Sequence, residues 1–129
     1  MEFFVPGVPV PQGRPRAYRT GNGIGMFDPP ESKAWKATVA QVAGLHRDRW
    51  HEGALVVTLK FYMPRAKTTK PLEPCTKRPD VDNLSKSILD ALNEVCYKDD
   101  SQVVALSVTK RYAHHPEEVG VNIDIEELK

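Results

Sequence analysis

Two pairs of aspartates have the residue types and spacing that metal-ion chemistry requires. Asp80 and Asp82 lie in the segment RPDVDN, and Asp99 and Asp100 lie in the segment KDDSQV. Unpaired carboxylates at close range repel one another and raise one another's pKa, and a divalent cation removes that conflict. A ligand set of oxygens alone selects Mg²⁺ or Mn²⁺ over Zn²⁺. If the fold brings these side chains together, the bound ion could hydrolyse a phosphodiester bond.

Helix capping is the ordinary explanation for an aspartate in this position. Asp80 and Asp82 stand where a proline-containing segment turns into a predicted helix, and one of them is expected to be the N-cap. Capping requires one aspartate, not two. Further polar residues follow at helical spacing on the same stripe, which is also typical of paired charges on a solvated face: Lys86, Asp90 and Asn93. Beside a metal, Lys86 would supply positive charge for the transition state.

Two other sites use a DxD pattern. In a calcium-binding loop that starts at Asp80, Ser85 would replace the required glycine and Ala91 would replace the bidentate glutamate, so the loop is excluded. Sugar-nucleotide sites with this pattern usually belong to much larger chains.

The elements that position these residues can be predicted from periodicity. A short strand is expected at residues 3–5, a glycine-rich loop at 12–26, and a first helix from Pro29 and Pro30 to a stop at Gly44. Residues 54–62 alternate as a strand, and residues 64–79 form a long exposed loop with four prolines. The second helix has an apolar face made by Val81, Leu84, Ile88, Leu92 and Val95.

Two more runs of alternating apolar residues predict the last strands, which we expect to pair as an antiparallel hairpin. The first run is Val104, Leu106 and Val108, and the second is Val121, Ile123 and Ile125. Together the elements predict a single small α/β (α+β) domain over residues 1–129, with a mixed sheet of four or five strands and two main helices. Strand order is not predicted.

Composition fits one soluble domain. The chain has 129 residues, of which 40% are hydrophobic and 27% charged, and a chain of this length folds without disulfides or a structural metal. Cys75 and Cys96 lack metal-ligand or redox spacing and are expected to be reduced thiols. The four histidines are expected on the surface. No run resembles a membrane span or a signal peptide, so we expect a cytoplasmic protein without a membrane partner.

Basic residues cluster in two segments that precede the acidic motif in the sequence, although the net charge is only +1. The first cluster is Arg14, Arg16 and Arg19, and the second is Arg65, Lys67, Lys70, Lys77 and Arg78. One such cluster is usually solvated surface, whereas two that accompany a candidate metal site favour binding to phosphates.

Residues 77–111 strongly resemble the signature of the RusA family of Holliday junction resolvases. RPDVDN, a lysine one turn into the helix, DALN and DDSQV follow one another in the family's order, and GVPVPQGRPRAY resembles its N-terminal segment. The likeness covers most of the chain and is least at residues 44–53 and beyond residue 114. It implies an endonuclease that uses Mg²⁺, with Mn²⁺ as the alternative ion, and no small-molecule cofactor.

Site residues and partners also follow from the resemblance. It implies that Asp80, Asp82 and Asp100 bind the metal, that Asp99 supports them and that Lys86 assists catalysis. The enzyme would act as a symmetric homodimer, which suits a four-way junction because two equivalent sites can nick opposite strands. Arg14, Arg16, Lys77 and Arg78 are the leading candidates for DNA phosphate contacts, whereas Lys67 and Lys70 are equally typical of a solvated loop.

Two alternatives remain open. One is an enzyme with the same chemistry that cuts flaps, forks or other branched DNA. The other is a non-catalytic protein that binds and protects junctions. The family is common in bacterial prophages, so the resemblance also implies a bacterial or phage origin.

Overall fold

Apolar alternation builds a four-stranded mixed sheet, and two helices pack on one of its faces. The computed structural model describes residues 1–13, 16–21, 23–27 and 29–128. The sheet contains β1 (Glu2–Pro6), β4 (Leu55–Met63), β5 (Val103–Tyr112) and β6 (Gly120–Glu127). The helices are α1 (Pro30–His46) and α2 (Val81–Leu92), and 3-10 turns span Asp100–Gln102 and Pro116–Glu118. The predicted fold class is confirmed.

The strand order is β1-β6-β4-β5, so β4 lies between the two C-terminal strands. β6 runs antiparallel to both β1 and β4, whereas β5 runs parallel to β4 at the edge of the sheet. The predicted hairpin of β5 with β6 is therefore wrong. Alternation specifies which face of a strand is buried but not which strand lies beside it, and β4 pairs with both.

The core lies between the sheet and the two helices. On β4 the alternating residues Leu55, Val57, Leu59 and Phe61 are fully buried, as their spacing predicts. From α2, the side chains of Leu84, Ile88 and Leu92 are also fully buried, which confirms most of the predicted apolar face. Val81 is 41% exposed, and Val95 follows the end of the helix.

Three local predictions were wrong. Residues 12–26 contain part of a hairpin rather than only a loop: β2 (Arg16–Thr20) pairs with β3 (Gly23–Phe27), and the intervening Gly-Asn pair is a hairpin signal. α1 continues two residues past Gly44 to His46, because one glycine costs only about 1 kcal/mol in a helix. His51 is buried, and its backbone N–H donates a hydrogen bond to the Cys96 carbonyl.

The described part of the chain contains no helix that is both long and apolar enough to cross a membrane. Cys75 and Cys96 are free thiols, as predicted.

Candidate functional site

The N-terminal end of α2 carries Asp80 and Asp82. Asp80 occupies the N-cap position with extended backbone, and its carbonyl accepts the first helical hydrogen bond from Leu84. Within the described residues, its side chain makes no capping hydrogen bond. Asp82 lies in the first turn and is exposed. Capping within the described residues thus does not account for the Asp80 carboxylate, and the positive end of the helix dipole favours negative charge on both aspartates.

Lys110 holds the segment that leads into this helix. Its ammonium donates hydrogen bonds to the carbonyl oxygens of Lys77 at 2.7 Å and Pro79 at 2.9 Å. A second tie comes from the N-terminal segment, where the Gln12 amide donates to the Asn83 carbonyl at 3.0 Å. The approach to Asp80 is therefore fixed by β5 on one side and by the proline-rich N-terminal segment on the other.

Asp99 and Asp100 lie in the turn between α2 and β5. Asp99 accepts a hydrogen bond from the Ser101 amide, which lowers the pKa of the Asp99 carboxyl. The pKa of Asp100 is raised by burial, by the adjoining Asp99 carboxylate and by the negative charge of Asp90, against a hydrogen bond from Asn93. A cation at Asp100 would relieve this excess of negative charge.

Gln102 fixes the turn that carries Asp100. Its side-chain oxygen accepts hydrogen bonds from the Lys98 and Asp99 amides at 2.9 and 3.1 Å. Its side-chain nitrogen donates to the His51 and Gly53 carbonyls at 3.4 and 3.0 Å. All four bonds are to backbone atoms, so Gln102 ties the acidic turn to the segment that precedes β4.

Within one chain, the two acidic pairs lie at opposite ends of α2. Asp82 and Asp90 are eight residues apart on the helix, which is about 12 Å along its axis. Asp100 lies at the Asp90 end, whereas Lys110, seven residues beyond the start of β5, touches the Asp80 end. No three His, Cys, Asp or Glu residues in the described ranges are grouped so that they could hold a metal.

Lys86 and Asp90 occupy the stretch of α2 between the two ends. Lys86 lies one turn beyond Asp82 and is exposed, and no ion pair joins it to another residue that the structure describes. Asp90 accepts a hydrogen bond from the ammonium of Lys36 on α1 at 2.8 Å. Among the described residues, Lys86 is therefore exposed and unpaired, whereas Asp90 is paired.

A cleft of about 800 Å³ opens beside Asp80. The proline-rich N-terminal segment, the 64–79 loop and the start of α2 form its walls, and Lys77 and Arg78 contribute to its lining. Lys67 and Lys70 are exposed in the same loop, and Lys70 lines a second cleft of about 530 Å³ with Arg65 and Arg111. Arg14 lies outside the described residues, and for Arg16 only the backbone, in β2, is described.

The sequence profile of the RusA endodeoxyribonuclease family matches residues 6–126, which is nearly the whole chain. The chain belongs to the RusA family. It is also similar to an uncharacterized protein of Bacillus subtilis (strain 168), YqaN: the two are 41% identical over 128 residues, and the match covers 90% of each chain. Membership of the RusA family implies an endodeoxyribonuclease that acts on branched DNA, and RusA nucleases generally use a divalent metal.

In this RusA chain, sequence reasoning missed the residues that hold the acidic segments in place. Lys110 continues the apolar alternation of Leu106 and Val108, and a lysine at such a position was a signal for a buried ammonium that needs acceptors. Gln102 had a weaker signal, because glutamine three residues after Asp99 forms a capping box, which the structure contains.

Proposed function

We propose that this RusA-family chain is a Mg²⁺-dependent endonuclease that resolves four-way DNA junctions by symmetric paired nicking. The observation that supports this best is that Asp80, whose side chain makes no capping hydrogen bond within the described residues, lines a cleft together with Lys77 and Arg78. Phosphate contacts supply most of the affinity of a DNA-binding protein, so basic residues beside a metal site suit a scissile phosphate.

Asp100 would complete the site in a two-fold dimer. Among the described residues, β5 is an edge strand with one unpaired hydrogen-bonding edge, and its side chains Val104 and Leu106 are 59% and 42% exposed. Such an edge is a template for pairing with another strand. If two β5 strands pair antiparallel around an axis near Leu106, the start of each strand lies beside the end of the other. Asp100 of the second copy would then approach Asp80 and Asp82 of the first.

The donor set fits a hard cation. Asp80, Asp82 and Asp100 offer carboxylate oxygens alone, and burial together with the neighbouring Asp99 and Asp90 carboxylates raises the pKa of Asp100. Bound Mg²⁺, or Mn²⁺ in its place, would orient the scissile phosphate, acidify the attacking water and stabilise the leaving oxygen. Asp99 would support Asp100, while Lys86 would offset negative charge on the phosphate during cleavage.

The DNA contacts are proposed in two groups. Lys77 and Arg78 line the cleft that contains Asp80, so they would bind phosphates near the cut. Arg14, Arg16, Lys67 and Lys70 are proposed as further phosphate contacts. A DNA substrate implies action in the cytoplasm, in recombination and repair of bacterial or prophage DNA.

The test is a nicking assay on a synthetic four-way junction beside a linear duplex of the same sequence, with Mg²⁺ and with chelator. We expect paired nicks on the junction alone, and only with metal. Asp82→Asn should abolish nicking but keep or improve junction binding in chelator, because it removes a negative charge near phosphates. Retained nicking by Asp82→Asn would refute the assignment of the site.

Two alternatives predict different results in the same assay. Comparable cleavage of flaps or forks would indicate a branched-DNA endonuclease of broader specificity. Junction binding with no cleavage at any Mg²⁺ or Mn²⁺ concentration would indicate a binding protein.

A further inference from the structure

The structure places a lysine where the pattern of β5 calls for an apolar residue. Lys110 pairs in register with Phe61 on β4, so its side chain leaves the sheet on the face that carries the core. It is only partly exposed, and no carboxylate in the described part of the chain forms an ion pair with it. A partly buried ammonium without a counter-ion is costly unless backbone oxygens satisfy it.

Two backbone oxygens do so, and both belong to the segment that ends at Asp80. The carbonyls of Lys77 and Pro79 accept hydrogen bonds from the Lys110 ammonium at 2.7 and 2.9 Å. Hydrogen bonds to a charged donor are stronger than those between neutral groups. One bonded carbonyl precedes Arg78 and the other belongs to Pro79. The Lys110 ammonium therefore fixes the backbone on both sides of Arg78, including the peptide group that joins Pro79 to Asp80.

The position of Asp80 therefore depends on β5 as well as on α2. Residues 64–80 contain no helix or strand, and the helix begins at Val81. Without the ammonium, the last residues before the helix would lose their only described tie to β5. The Asp80 carboxylate would then sample several positions. Ordering it when the metal binds would cost free energy, so the affinity for the metal would be lower.

We propose that Lys110 is a positioning residue, which holds the Lys77–Asp80 backbone so that the Asp80 carboxylate is preorganised for a divalent cation. This inference rests on the proposed function, because it assigns Asp80 to the metal site. Lys110 acts through backbone carbonyls and touches neither metal nor phosphate.

The test uses the full chain and Mn²⁺ as a spectroscopic probe. Electron paramagnetic resonance of free Mn²⁺ measures the dissociation constant, and hydrogen exchange measures protection of the amides of Arg78, Asp80, Val81 and Asp82. Changing a residue that orients a metal ligand typically weakens metal binding by roughly 10–100-fold. We expect that loss for Lys110→Met, together with faster exchange at these amides. Lys110→Arg keeps a charged donor and should recover part of both.

Lys60→Met is the matched control. Lys60 is an exposed lysine on β4, and no hydrogen bond joins its side chain to another described residue. We expect wild-type Mn²⁺ affinity from this variant and an unchanged melting temperature. Lys110→Gln is the second variant if Lys110→Met does not fold, since its shorter neutral side chain cannot reach both carbonyls.

The outcomes separate the two proposals. Wild-type protein that binds no Mn²⁺ and does not nick a junction would refute the proposed function. Wild-type protein that does both, with a folded Lys110 variant of equal Mn²⁺ affinity and equal exchange, would overturn the role of Lys110 alone. If neither neutral variant folds, Lys110 is a requirement for folding and the positioning role is also overturned.

Discussion

Two inactive variants should restore activity when they form one dimer. In the proposed two-copy site, Asp80 and Asp82 come from one chain and Asp100 comes from the other. Asp82→Asn and Asp100→Asn should each inactivate both sites of their own homodimers. In a mixed dimer, one site receives both substitutions and the other receives neither, so one site remains intact.

The expected magnitude follows from counting sites. A purified mixed dimer has one intact site of two, so its initial rate of nicking per dimer should be about half that of the wild type. It should nick one strand and stop, because paired nicking needs two active sites. The product is therefore a singly nicked junction rather than two resolved duplexes. If each site were built within one chain, every site in the mixed dimer would carry a substitution and nicking would be absent.

The assay needs two affinity tags. Coexpression of the variants with different tags, followed by two purification steps, isolates the mixed dimer, and gel electrophoresis of an end-labelled junction separates single from paired nicks. Asp80→Asn with Asp82→Asn is the control pair, since both substitutions fall at the same end of α2 and no intact site can form. A mixed dimer of Asp82→Asn and Asp100→Asn that fails to nick would refute the two-copy site.

Three other results should follow. Lys86→Ala should slow single-turnover nicking on the order of 100-fold, with little change in junction affinity in chelator; a pure loss of affinity would make Lys86 a phosphate contact. Leu106→Lys should give monomers by light scattering and weaken Mn²⁺ binding, because it places charge on the exposed apolar patch of β5; a stable dimer would contradict pairing through this strand. Burial raises the pKa of the Cys96 thiol from 9.0 to about 11, so at pH 8 iodoacetamide should modify the partly exposed Cys75 and spare Cys96. Because the folded-state pKa is the higher one, the free energy of unfolding should fall as pH rises from 9 to about 11, which urea titrations can measure; a rise would contradict the assignment.

Much of the fold could be predicted from sequence because burial imposes a period on the side chains. The three- and four-residue spacing of Leu84, Ile88 and Leu92 identifies the buried face of α2, and the alternation in β4 identifies its core side. The partners of each strand could not be predicted in this way. The apolar alternation in β5 and β6 is compatible with the hairpin that was expected. Both strands nevertheless pair with β4, because β4 can form hydrogen bonds to a neighbouring strand along each of its edges.

The sequence names candidate site residues but does not predict how the fold arranges them. Asp80, Asp82 and Asp100 stand out as carboxylates beside predicted element boundaries, but sequence spacing does not give the distance from Asp80 and Asp82 to Asp100. That distance depends on the path of the chain from the end of α2 into β5, which the sequence pattern does not specify. The side chains that support the site, Lys110 and Gln102, act on backbone atoms, and a hydrogen bond to a carbonyl leaves no recognisable pattern in the sequence of its acceptor.

In the proposed two-copy site, β5 would link metal binding to the number of chains. Gln102 anchors the acidic turn at the start of this strand, and Lys110 holds the approach to Asp80 at its end. A strand cannot bend to bring its own ends together, so the two acidic pairs of one chain stay apart. Antiparallel pairing of two copies of β5 would place the start of each strand beside the end of the other. Metal affinity would then be a property of the dimer, and each dimer would hold two sites of fixed separation. Such an enzyme cuts efficiently only where two scissile strands match that separation, as in a four-way junction, and this geometric requirement favours the junction over a linear duplex.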